Sequence, residues 1–119
     1  MRILSAEDRF CRFADTLMEC GEYLLSEDDE MIGCVVFEDF DIDVTSCPSD
    51  ENLQLFIDEG MISDAVAEKC RLFRDKARKV LDTPELHSVQ AFRSSEEWRE
   101  IMRLSDEIKR DIGIERFPV

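Results

Sequence analysis

Three apolar stripes at helical spacing decide most of what this chain can fold into. The first runs through Phe10, Phe13, Ala14, Leu17, Met18, Gly21, Leu24 and Leu25. The second is Val66, Cys70, Phe73, Ala77, Val80 and Leu81, and the third is Trp98, Ile101, Met102, Ser105, Ile108 and Ile112. A helix with such a stripe buries it against its neighbours, and a period of 3.6 does not fit the alternating faces of a strand. The punctuation agrees. Ser5-x-x-Asp8 and Ser94-x-x-Glu97 read as capping boxes, Ser63 as a cap, and Gly60 and Gly113 as stops. The spacing predicts a first helix over residues 6–25, a long one from Ser63, and a last one from Ser94 to Gly113. Pro48-Ser49-Asp50-Glu51 opens a further helix with Leu53, Phe56 and Ile57 inward. Thr83-Pro84-Glu85 restarts a short turn carrying Leu86, Val89 and Phe92, with a brief strand over residues 87–92 as the runner-up.

One stretch reads two ways. Met31, Ile32, Val35, Val36 and Phe40 have helical spacing, and Ser26 with Asp29 would cap them. Yet Phe40, Ile42 and Val44 alternate with Asp39, Asp41 and Asp43, which is the period of a half-exposed strand. An isolated hairpin needs a third strand or a helix to cover it, and no other strong strand candidate exists. A helix over residues 27–40 followed by an extended acidic link is therefore expected. The 119 residues suit one domain. The expected fold is all-α, a single acidic domain spanning 1–119, built as a compact bundle of four to five helices with short connections. The alternative is α+β, with a small hairpin around residues 31–45. The tail from Ile114 to Val119 is apolar enough to pack back.

The charge is lopsided. Residues 1–60 carry 17 acidic and 3 basic side chains, whereas residues 61–119 carry 12 of each, so the net charge of −14 belongs to the first half. From Phe13 to Glu68 there is no Lys or Arg. Direct binding to nucleic acid or to an anionic membrane is disfavoured, because both need clustered cations. The basic residues between Lys69 and Lys79 surround one helix without an aromatic platform, and they are expected to meet the acidic half or solvent. The longest apolar run extends from Cys34 to Phe37, or from Met31 if Gly33 is counted, well short of the roughly 20 residues of a membrane span. No apolar stretch of signal-peptide length opens the chain, so the expected location is cytoplasmic. Cys11, Cys20, Cys34, Cys47 and Cys70 lack metal-ligand spacing, and most are expected to be plain buried thiols.

Motifs for catalysis are sparse. His87 is the only histidine, which removes the familiar zinc-hydrolase patterns and the Glu-x-x-His repeats of di-iron bundles, and it is expected to be a plain surface or half-buried residue. A calcium loop from Asp39 would need glycine where Val44 stands, and one from Asp28 would put Ile32 and Val36 at ligand positions. The four glycines are isolated, so no phosphate loop exists. No catalytic residue, metal or cofactor is assigned.

In size, charge and lack of catalytic groups the chain resembles small acidic inhibitors. These include bacterial immunity proteins that neutralise nuclease toxins and proteins that mimic nucleic-acid charge. The likeness is of general character and rests on no motif. It implies a cytoplasmic protein-binding domain whose acidic surface covers a basic site on a protein partner. The expected contacts are Asp28, Asp29, Glu30, Glu38, Asp39, Asp41, Asp43, Asp50 and Glu51, presented from helix ends and connections. The alternative is a structural or regulatory helical domain without catalysis, for which a homodimer is one option. An enzyme with an unrecognised site is the third reading.

Overall fold

The computed structural model of the protein describes residues 4–114, so the predicted packing of 115–119 lies outside the described residues. The all-α expectation holds: no strand occurs among the described residues, and neither the hairpin at 31–45 nor the strand at 87–92 forms. The chain runs α1 (Ala6–Met18), a 3-10 turn (Glu22–Ser26), α2 (Asp29–Cys34), a π-helical segment (Val35–Phe40) and α3 (Asp41–Ser46). It continues through α4 (Asp50–Asp58), α5 (Asp64–Leu81), a 3-10 turn (Pro84–Leu86), α6 (Val89–Ser94) and α7 (Glu96–Asp111). α5 and α7 share the most extensive contact and form the spine of the bundle.

Most helices begin as the sequence implies. Ser5, Ser49, Ser63 and Ser88 each accept a bond from the amide three residues on, at 3.1–3.2 Å. Each oxygen satisfies one of the donors left orphaned by the first helical turn. The cap of α7 is one residue later than predicted. Ser95, not Ser94, accepts from the Trp98 amide at 3.2 Å, while the Ser94 hydroxyl donates back to the Gln90 carbonyl inside α6. Asp28, not Ser26, caps α2, accepting from the Met31 amide at 2.8 Å.

The predicted helix over 6–25 is too long: α1 stops at Met18, and tertiary contact is the reason. The Ser105 hydroxyl from α7 lies 3.0 Å from the Leu17 carbonyl and 2.6 Å from that of Cys20. Lys109 Nζ donates to the same Cys20 carbonyl at 3.1 Å and to Asp106 at 3.1 Å, and the Tyr23 hydroxyl donates to the Met18 carbonyl. Carbonyls that α1 would otherwise carry onward are capped from outside, with a buried cation at the negative end of its dipole. Gly21 permits the approach. A Cβ there would stand 2.7 Å from Lys109 Nζ and 2.8 Å from an Asp106 oxygen.

Trp98 anchors the core. It is fully buried, its indole N–H donates to the Leu86 carbonyl at 2.8 Å, and Phe37, Phe40 and Phe92 pack around it with ring centroids 5.2–6.5 Å away. A second aromatic group, Phe10, Phe13 and Phe56, joins α1 to α4. The cysteines depart from expectation. Only Cys20 and Cys70 are buried, Cys47 is half-buried, and Cys11 and Cys34 lie on outward helix positions.

Candidate interaction surface

The extended acidic link does not exist. Cys34, Phe40 and Asp41 all keep right-handed helical dihedrals, so residues 29–46 form one continuous rod through the π-helical segment. The spacing of its core residues explains this. Ile32, Val36, Phe40 and Val44 recur every four residues and are all fully buried. In an ideal α-helix each such step drifts about 40°, so the fourth residue would stand about 120° off the first. Unwinding toward the wider π turn removes the drift and keeps all four on the core. The alternation that resembles a strand is thus one of composition, not of faces: Phe40 and Val44 point inward together, while Ile42 is 73% exposed.

The structure separates the nine predicted contact residues into two groups. Asp28 is occupied as the cap of α2. Asp29 pairs with Arg93 at 3.0 Å, and Asp41 with Arg78 at 2.7 Å. Asp50 meets Arg74 at 2.8 Å and Arg71 at 3.6 Å, and Glu51 lies 3.8 Å from Arg9. Hydrogen bonding from the Arg74 guanidinium holds the Asp50 carboxyl below its ordinary range. The basic residues of α5 therefore meet the acidic half, as the sequence suggests, with Lys69 on Asp111 and Lys76 on Glu100 besides. The second group is Glu30, Glu38, Asp39 and Asp43, all on the rod. Glu30, Glu38 and Asp39 are exposed and Asp43 is half-buried.

Asp39 and Asp43 meet a residue that sequence reasoning passed over. Glu19, at the C-terminal end of α1, is half-buried, and one carboxyl oxygen is enclosed with no hydrogen-bond partner. Its pKa is raised from 4.5 to about 8, first by burial, then by a hydrogen bond and charge repulsion from Asp43, then by Asp39 and Asp15. The negative end of the α1 dipole acts in the same sense. The sequence places Asp15, Glu19 and Glu22 on one polar face, but nothing in it indicates that this face abuts Asp39 and Asp43. Lys109 was missed despite a signal: Trp98, Met102, Ser105 and Lys109 keep an inward spacing of four, three and four.

His87 is exposed at the rod's flank, its ring tilted by 60° against that of Phe37 with centroids 4.8 Å apart and its Nε2 3.4 Å from Asp41. Three thiols are displaced away from the reactive thiolate: Cys20 and Cys70 by burial, the latter to about 12, and Cys34 by the neighbouring Glu38 charge. A shallow groove between α5 and α7 is lined by Lys76, Lys79, Val80, Leu86, Glu97 and Glu100, among others. Among the described residues no group of three His, Cys, Asp or Glu is placed to hold a metal ion. None of their helices is long and apolar enough to cross a membrane. Comparison of the chain with protein-family models, curated proteins and solved structures found no match.

Proposed function

We propose that this protein is an acidic binding domain of the inhibitor or immunity type, covering a basic site on a protein partner with the rod and the adjoining end of α1. The observation that supports this reading is the charge left after internal pairing. Asp15, Glu19, Asp39 and Asp43 crowd together, and the charges that act most strongly on Glu19, those of Asp43, Asp39 and Asp15, repel its ionised form. Lysine or arginine side chains from a partner would relieve that repulsion and draw the proton off Glu19. A second copy of the chain would add more of the same charge, which argues against a homodimer through this face. Free cysteines throughout suit a reducing compartment, and a cytoplasmic location is part of the proposal.

The test begins with a partner recovered from native cells and identified. Association rates are then measured across a salt series for wild type and for the combined Glu30→Gln, Glu38→Gln and Asp39→Asn variant. These positions are exposed, so the fold is retained. The expected outcome is a rate reduced about tenfold at low salt and a shallower salt dependence, since exposed charges act over a Debye length of roughly 8 Å at physiological ionic strength. Equal rates and equal salt slopes would remove this surface from the binding account.

A further inference from the structure

The outer ridge of the rod departs from an ordinary solvated face. Two residues are half a turn when the repeat is close to four, so Glu30, Cys34, Glu38 and Ile42 lie opposite the buried Ile32, Val36, Phe40 and Val44. A face so far from the core should be polar throughout. Instead Ile42 is 73% exposed, Met31, about three turns earlier at the edge of the ridge, is 47% exposed, and Cys34 lies between them along the rod. The exposed charged residues between Glu30 and Ile42 are Glu30, Glu38 and Asp39, all acidic. Arg78 and Arg93, which reach the rod along its flanks, are engaged by Asp41 and Asp29.

We propose that this ridge is the docking seat for a basic amphipathic helix of a partner protein. The inference rests on the acidic-surface reading and specifies the chemistry that fits it: a stripe of apolar side chains set against Met31, Cys34 and Ile42, flanked by Lys or Arg set against Glu30, Glu38 and Asp39. Charge complementarity selects this occupant. A second copy would bring the same acids against the same acids, and a nucleic acid would be repelled and would leave the apolar positions uncovered. The length matches too. From Met31 to Ile42 the rod advances about 16 Å, about three turns of a facing helix.

The experiment uses two synthetic peptides of identical Leu and Lys composition, each about 18 residues long so that a helix can form on binding. One places its leucines at i, i+3, i+4 and i+7, and the other scatters them. Binding to the isotopically labelled full chain is followed by amide chemical shifts, for wild type and for the Met31→Glu, Ile42→Glu variant, with Ile42→Ser as a second test should the double variant fold poorly. Adding acids strengthens a purely electrostatic attraction, whereas losing the apolar contacts weakens a seated helix, so the two accounts predict opposite signs. The expected result is shifts centred on residues 30–42, binding by the amphipathic peptide at least tenfold tighter than by the scattered one, and loss of that advantage in both variants. Unchanged or tighter binding by the variants would overturn the seat and leave the acidic-surface reading standing. If neither peptide binds, both are overturned. A wild-type dimer in sedimentation equilibrium that the double variant splits would also overturn the proposal, assigning the ridge to a second copy.

Discussion

Replacing Glu19 by Gln should stabilise this protein, and should do so only above mildly acidic pH. In the unfolded chain Glu19 ionises near its ordinary value of 4.5, but in the folded protein it holds its proton to about 8. Between those values the folded state binds more protons than the unfolded state, so this group's contribution to stability falls as pH rises and levels off above about 8. A rise of that size would correspond to about 5 kcal/mol if solvent screened nothing; for a half-buried side chain about 2 kcal/mol is the reasonable expectation. Gln keeps the shape of the protonated acid and offers Asp43 an N–H donor without needing a proton. Urea unfolding of both proteins across the pH range is the assay. The stability difference should be near zero at about pH 4.5 and should grow to about 1–2 kcal/mol in favour of Gln by about pH 8.5. Asp50, whose lowered pKa makes its contribution disappear as pH falls below its ordinary range, behaves alike in both proteins and cancels. A difference independent of pH, or a Gln variant weaker at every pH, would refute the reasoning, since either would mean that Glu19 is not held protonated by burial and the acids around it.

Substitutions at two further residues test the core. Trp98→Ala should cost about 3–5 kcal/mol in chemical unfolding, because it empties a fully buried site where three phenylalanines meet and removes the bond to the Leu86 carbonyl; a loss below about 1 kcal/mol would show that the indole is not the anchor of α7. Lys109→Ala should cost about 3–5 kcal/mol by leaving the nearly buried Asp106 without its cation. Lys109→Met, which keeps the stem, should recover part of that loss; equal losses for the two would assign the effect to the lost cation alone, and full recovery by Met would assign it to packing.

The helices themselves were legible because helix formation is decided locally. The stripes beginning at Phe10, Val66 and Trp98 keep the helical period without reference to any partner, and the serine caps bond within three residues of themselves. What sequence alone could not decide was anything that one helix does to another. α1 ends at Met18 and not at Leu25 because Ser105 and Lys109, more than eighty residues away in the chain, cap its carbonyls. The acidic residues form a continuous series in the sequence, yet Asp41 and Asp50 are held by arginines of α5 while Asp39 and Asp43 crowd Glu19. A carboxylate's neighbours, and not its place in a charge run, determine whether it stabilises the fold or remains a source of repulsion on the surface. The rod shows both limits at once. Its four-residue repeat was present in the sequence, but the choice between helix and extended link depended on burying Ile32, Val36, Phe40 and Val44 together against the core. Underwinding the helix satisfies that demand, and only the tertiary structure, by setting which side of the rod meets the core, left Met31 and Ile42 facing outward.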